Sequence, residues 1–332
     1  MILIRADANE IVGTGHIMRC LSIARAFIDK GEEVRFVTAD HKGDSLLHSR
    51  GFETICLNSQ YNAMDEEEIN IVMKKYRPDI VLVDSYFITE SYMYALSKNC
   101  LVAYIDDLNT SKWEANFLIN YNIFGTVIDY SKYKNSHTKL FLGPQYAPLR
   151  DEFKCLVNHR TRTVRDILIS AGGSDPECIT EKMMLGICPI MKDICFHFIV
   201  GALNPRLENI KSLVMPNIVL HINEQNMSGL MQKCDVAISA AGSTLYELCA
   251  CGTPTITYTL ADNQLIAAEE FQNRGLMVNA GDCRNNDIFI DKIVEILRDL
   301  IDDKYKRQQM SFCMQLLIDG RGAQRLVDEI LG

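Results

Sequence analysis

Short apolar, β-branched runs alternate with amphipathic stretches along nearly the whole chain, and the alternation occurs twice. In the first half, "ILIRA" (2–6), "EVRFVTA" (33–39), "ETICL" (53–57), "DIVLVDS" (79–85) and "LVAYIDD" (101–107) read as strands. Helical patterns lie between them, notably at 64–76 and 89–99. From His16 to Lys30 the apolar residues Ile17, Leu21, Ala24 and Ile28 recur at helical spacing, and the pattern closes on Gly31. Strand, helix, strand in repetition means a parallel sheet with crossover helices. Near residue 143 the pattern breaks at "GPQYAPLRDEF", which reads as a linker. A second series follows: "DILISA" (166–171), "CFHFIVG" (195–201), "NIVLHI" (217–222), "DVAISA" (235–240), "TPTITYT" (253–259) and "LMVNA" (276–280), with a helical tail from about 286. The expected architecture is two tandem doubly wound, Rossmann-like α/β domains, 1–147 and 148–332, facing a cleft. In such sheets ligands bind beyond the carboxyl ends of the strands.

Composition narrows the function. A net charge of −9 over 332 residues argues against a nucleic-acid partner recruited through the overall field. No apolar run reaches the length of a membrane-spanning helix, and the amino terminus lacks a secretion-signal pattern, so a cytoplasmic protein is expected. The twelve cysteines are scattered without a CxxC, and most lie in apolar segments; buried thiols in a reducing compartment are expected rather than zinc or disulfides. His41, His48, His137, His159, His197 and His221 show no metal spacing, and the last two lie in strand patterns, so no metal is expected. Nothing argues for a stable dimer, and a monomer is expected.

Three glycine turns stand where a strand hands over to a helix. In "GTGHIMR" (13–19), Met18 occupies the third glycine position of a dinucleotide fingerprint, and no P-loop lysine is present, so no cofactor is expected. Gly13 and Gly15 leave a bare turn, and His16 sits at the start of the helix. A helix amino terminus disfavours an imidazolium, which suits a general base. Asp7, just past the first strand, is the expected partner for one ring nitrogen. Arg5 and Arg19 are expected to bind an anion or to hold Asp7.

The second turn is "SAAGSTLYELCACGTP" (239–254). Gly242, Ser243 and Thr244 open a helix whose free amides suit a diphosphate, and Glu247, one turn in, suits the hydroxyls of a ribose. The third is "SAGGSDP" (170–176), where Gly172, Gly173 and Ser174 precede a helix expected to begin near Pro176. "DNQ" at 262–264 adds Asn263 and Gln264 on the same edge.

These segments resemble a known family. "RADANEIVGTGHIMRCLSIA" is similar to the amino-terminal signature of the UDP-sugar hydrolases of pseudaminic acid biosynthesis. "GGSDP" and "AAGSTLYELCACGTP" resemble that family's second-domain motifs, in the same order and at similar spacing, and "DSY" (84–86) and "IDD" (105–107) also resemble elements of it. The second-domain motifs also resemble glycosyltransferases of the same two-domain architecture. The resemblance implies a GT-B-like fold. It also implies metal-independent, inverting hydrolysis of UDP-2,4-diacetamido-2,4,6-trideoxy-β-L-altropyranose to UDP and free sugar. It implies that His16 is the catalytic histidine, that Gly242, Ser243, Thr244 and Glu247 meet the nucleotide, and that Tyr86 lies near the sugar. The rival expectation is a GT-B glycosyltransferase that passes the sugar from a UDP donor to an acceptor.

Overall fold

A computed structural model describes residues 1–9, 13–157, 163–172, 175–201 and 204–332. The chain divides into two compact units, Met1–Asp151 with Arg321–Gly332, and Glu152–Gly320.

The first unit holds a seven-stranded sheet: β1 (Ile2–Ala6), β2 (Val34–Thr38), β3 (Thr54–Cys56), β4 (Ile80–Asp84), β5 (Leu101–Ile105), β6 (Phe117–Asn120) and β7 (Lys139–Leu142). Its order is β3-β2-β1-β4-β5-β6-β7, with every pair parallel. Helices α1 (Gly15–Asp29), α2 (Asp44–Ser49), α3 (Glu66–Tyr76) and α4 (Glu90–Ser97) lie along the crossovers. A parallel sheet covered on both faces needs strands that are apolar throughout, and β1 and β4 are buried at every position. α3 starts where Asp65 accepts the amides of Glu67 and Glu68 at 2.8 and 3.1 Å. The chain steps from β1 outward to β3 and then returns to β4 on the other side of β1. The β1–β4 boundary is therefore the topological switch point of this sheet.

Strands β6 and β7 escape the sequence reading. Each has four residues, and β7 buries only Phe141 fully. No regular helix precedes either one, so the alternation that marks the other strands is missing.

The second unit repeats the plan with β8 (Asp166–Ser170), β9 (Cys195–Val200), β10 (Ile218–Ile222), β11 (Val236–Ala240), β12 (Thr255–Thr259) and β13 (Met277–Asp282). All pairs are parallel in the order β10-β9-β8-β11-β12-β13, so the switch point falls between β8 and β11. Helices α5 (Ile179–Gly186), α6 (Leu207–Ser212), α7 (Met227–Lys233), α8 (Thr244–Cys251) and α9 (Leu265–Asn273) connect the strands, and α10 (Phe289–Asp302) and α11 (Lys304–Leu317) follow. The helical tail is thus interrupted: Asp303 ends α10 and caps α11, its carboxylate accepting the Lys306 amide at 2.8 Å. The expected helix start near Pro176 is also corrected. The Asp175 carboxylate accepts the amides of Ile179 and Thr180 at 2.8 and 2.9 Å, which holds the helix start at Ile179.

The expected boundary at 147/148 is corrected as well. The last helix, α12 (Gly322–Leu331), belongs with the first unit. It lies against α1 and the short turn Pro144–Tyr146, tied by ion pairs Lys30–Asp328 and Lys139–Glu329 and by Arg325 donating to the Gln145 carbonyl. Gly322 permits this docking, because a Cβ there would stand 2.1 Å from the Ala147 carbonyl oxygen and 2.6 Å from its amide nitrogen. Backbone cannot yield as a side-chain tip can. Gly322→Ala is expected to lower Tm by several degrees, the signature of overpacking worth about 1–3 kcal/mol. An unchanged melting curve would mean that α12 is not held against residue 147.

No helix among the described residues is long and apolar enough to cross a membrane. All twelve cysteines are free thiols.

Candidate functional site

Asp84, the last residue of β4, is in register with Ala6, the last residue of β1. Between β1 and α1, Asn9 and Gly13 form an isolated antiparallel bridge. Gly13, at φ +70°, adopts a conformation that side chains disfavour. Gly13, Thr14 and Gly15 are exposed, Thr14 caps α1 without a side-chain hydrogen bond, and His16 lies in the first turn.

The His16 Nδ1 nitrogen lies 2.6 Å from Asp84 Oδ1. Arg19, one turn further along α1, grips the same carboxylate with two nitrogens, Nε to Oδ2 at 2.6 Å and Nη2 to Oδ1 at 2.5 Å. Arg19 Nη1 also donates to Asp107 Oδ2 at 2.8 Å and to the Tyr121 hydroxyl at 2.9 Å. Burial by itself would raise the Asp84 carboxyl, but the Arg19 guanidinium, seconded by His16, holds it well below the usual carboxylate range. An ionised carboxylate can only accept, so the proton between the two groups resides on Nδ1. In the neutral ring Nε2 then carries the lone pair and can act as a base. Burial pushes the Tyr121 phenol up to about 12, and it raises the Cys20 thiol, 3.5 Å from Asp84 Oδ2, well above its ordinary value. Both stay protonated: the Cys20 thiol faces Asp84 and the Tyr121 hydroxyl accepts from Arg19, as supports rather than nucleophiles.

The other face of His16 looks onto a small opening lined by Asp7, Tyr61, Asp84, Ser85, Tyr86 and Phe87. Tyr86 stands edge-on to the His16 ring, centroids 4.7 Å apart, and donates its hydroxyl to Asp107 at 3.0 Å. Phe87 meets Tyr61 edge-on at 5.3 Å.

Two expectations change here. Asp7 does not bond His16. It accepts the Ala39 amide at 2.7 Å and pairs with Arg5 at 2.6 Å, because the β1–β2 pairing carries it toward the start of the loop after β2. Asp84 takes the orienting place. Arg5 is only 1% exposed, so it supports Asp7 and meets no anion from solvent. Arg19 is likewise committed to Asp84 and Asp107 rather than to a ligand. The residues that sequence reasoning missed are Asp84, Asp107 and Tyr121. The signal lay in "DSY" and "IDD", each a carboxylate where a strand ends.

In the second unit the turns after β8 and β11 leave neighbouring strand ends at the switch point. Gly242 and Ser243 are exposed, while Thr244 and Glu247 are half-buried in the first turn of α8. Ser243 makes no side-chain cap, and a Cβ on Gly242 would find no atom within 4 Å. The Leu245 and Tyr246 amides donate to the Gly242 and Ser243 carbonyls, so the amides of Ser243 and Thr244 are the ones at the helix start that a ligand could meet. Gly172, at φ +81°, is exposed at the end of β8; Gly173 and Ser174 lie outside the described residues. Asn263 is exposed on the turn Asp262–Gln264, whereas the Gln264 side-chain Oε1 accepts the Leu260 amide at 2.8 Å.

Comparison with known proteins agrees with this plan. Residues 197–326 match the glycosyltransferase family 28 C-terminal domain. The chain is 26% identical over 279 residues to the uncharacterized protein MJ1062 of Methanocaldococcus jannaschii, covering 80% of this chain and 56% of that one. It therefore spans little more than half the length of that relative. It is 24% identical over 250 residues to the UDP-2,4-diacetamido-2,4,6-trideoxy-β-L-altropyranose hydrolase of Campylobacter jejuni, covering 74% of this chain and 86% of that one. The crystal structure of Acinetobacter baumannii MurG matches with a TM-score of 0.74 at 13% identity, over 99% of each chain. The structural likeness shows a GT-B-like fold of two Rossmann-like domains. The sequence likenesses support a GT-B glycosyltransferase-like enzyme family.

Proposed function

We propose that this chain uses a nucleotide sugar and hydrolyses it, with His16 as the base that activates water. The observation that carries the reading is the His16–Asp84 hydrogen bond of 2.6 Å, which makes Nε2 the acceptor nitrogen of the neutral ring, in a residue that lines a small opening. In this reading the diphosphate of a UDP-sugar is bound by the second unit, at the amides of Ser243 and Thr244, with Gly172 at the neighbouring strand end. Glu247 takes the ribose hydroxyls, and Asn263 and Gln264 border the same edge. The anomeric carbon is worked on by the first unit.

The step balances simply. Water loses a proton to His16 Nε2 as its oxygen forms a bond to the anomeric carbon. The bond from that carbon to the β-phosphate oxygen breaks, and the electron pair leaves with UDP. In-line attack through an oxocarbenium-like state inverts the carbon. Helix-start amides stabilise the charge that builds on the phosphate, so no strong general acid is required. Tyr86 holds the His16 ring from the side and would lie near the sugar. In this reading the reaction requires no metal or cofactor. The substrate we infer is UDP-2,4-diacetamido-2,4,6-trideoxy-β-L-altropyranose, supported by the likeness to the Campylobacter jejuni hydrolase.

The test is incubation with that UDP-sugar alone. UDP release without an acceptor is expected, and an absolute requirement for an acceptor would overturn hydrolysis. The second reading, a glycosyltransferase with the same nucleotide site, is favoured by the family 28 match at residues 197–326. It predicts the opposite outcome.

Gly242 tests the nucleotide site separately. Its open surroundings mean that Gly242→Ala folds normally. A methyl group there stands between a diphosphate and the α8 amides. UDP binding measured by calorimetry is expected to weaken about tenfold, roughly 1.4 kcal/mol, at unchanged Tm. Unchanged affinity would place the diphosphate elsewhere.

A further inference from the structure

The proposed reaction leaves one polar cluster of the second unit unused. Asp166 opens β8 and Cys195 opens β9, and the two are register partners. His197 lies two residues beyond Cys195, hence on the same face of the sheet. The Asp166 carboxylate, the Cys195 thiol and a His197 ring nitrogen all lie within 4.8 Å of one another. The cluster sits at the amino ends of its strands, the edge opposite the glycine turns. His197 is buried, while Asp166 and Cys195 are half-buried, so solvent reaches the group.

A chain of hydrogen bonds aims the histidine. His197 Nδ1 lies 2.9 Å from His221 Nε2, and His221 Nδ1 lies 3.2 Å from Glu224 Oε2. Glu224 accepts, so His221 donates from Nδ1; His221 Nε2 then accepts, so His197 donates from Nδ1. With both rings neutral, each has spent its one N–H. His197 Nε2 is left with its lone pair facing Asp166 Oδ1 at 2.9 Å. A contact between two such acceptors is completed by a further proton or by a cation beside them. Lys233 stands 3.5 Å from Nε2 and 3.7 Å from Oδ1, on a side chain 56% exposed.

We propose that Asp166, Cys195 and His197 form a site for a thiophilic divalent cation of the zinc type, which displaces the Lys233 ammonium when it binds. A sulfur, a nitrogen and an oxygen donor suit zinc and leave a fourth position for water. Magnesium and calcium, which take oxygen ligands, fit this set poorly. The Glu224–His221 pair is the outer shell that fixes the His197 tautomer. On binding, the Sγ–H bond of Cys195 breaks, its electron pair goes to the metal, and the proton leaves to solvent.

Cobalt(II) is the probe, added to the full chain under reducing conditions. One equivalent is expected to bind with a near-ultraviolet thiolate-to-cobalt charge-transfer band, and one equivalent of zinc to abolish that band. Cys195→Ser is expected to lose the band and at least tenfold in affinity, while Cys155→Ser, at an exposed thiol, keeps both. Lys233→Gln is expected to tighten binding at least tenfold, a change opposite in sign to any loss of fold. Circular dichroism confirms that each variant is folded. The proposal is overturned if the wild-type protein shows no band, if Cys195→Ser keeps it, or if Lys233→Gln leaves the affinity unchanged or weaker. None of these readouts depends on the UDP-sugar reaction, so its failure and failure here are distinguishable.

Discussion

Asp84→Asn is expected to lower kcat by about a thousandfold or more while leaving the dissociation constant of UDP unchanged. The carboxylate fixes the His16 proton on Nδ1, and an amide does not impose that choice. An asparagine can present its NH2 to the ring, which puts the imidazole proton on Nε2 and removes the base. Loss of the wrong-tautomer kind costs about 10⁴ in the serine-protease triad, which sets the scale. The same substitution strips the charge from the partner of Arg19, whose guanidinium meets Asp84 at 2.5 and 2.6 Å. Breaking a buried ion pair by removing one partner costs about 3–5 kcal/mol, so a lower Tm is expected together with the slower turnover. Asp107 and Tyr121 still accept from Arg19 and keep the helix in place. Rates are to be measured below the melting transition, beside UDP calorimetry. Turnover within tenfold of wild type would remove the dyad from the mechanism.

His16→Asn is the second large effect. Asparagine fills part of the same volume and can still meet Asp84, but it has no basic nitrogen to take a proton from water. A positioned general base contributes about 10²–10⁴, so kcat is expected to fall at least about a hundredfold. UDP affinity should not move, because the nucleotide groups belong to the second unit. Tm should change less than in Asp84→Asn, because Arg19 keeps its carboxylate. Comparison of the two variants therefore separates chemistry from support: similar losses in kcat, unequal losses in stability.

Strand, helix, strand periodicity carried the fold wherever elements were long and buried. β1 and β4, buried at every position, and the glycine-closed α1 were legible. The inward stripe of α1 was only partly so: Ile17 and Ala24 are buried, but Ile28 is 37% exposed, and Cys20, Ile23 and Phe27 take the remaining core positions. Four-residue strands without flanking helices left no periodic trace. The docking of α12 on the first unit depends on a close approach at Gly322, a contact across the chain that no local pattern encodes.

At the site, the glycine turn and His16 were visible because they are contiguous in sequence. The partner of His16 was not, because Asp84 is 68 residues away and reaches it through strand register. Asp7 was the nearer carboxylate in sequence, yet strand pairing turns it toward Arg5 and Ala39. The Asp166–Cys195–His197 cluster has the same origin. Spacing along the chain hides it, and neighbouring strands assemble it.

The most direct measurement is hydrolysis in heavy-oxygen water, followed by mass spectrometry of both products and a nuclear magnetic resonance time course of the sugar. Water activated by His16 and attacking the anomeric carbon puts the label in the free sugar, leaves UDP unlabelled, and gives the inverted anomer first. Label in the UDP phosphate, or a retained anomer as first product, would contradict the account.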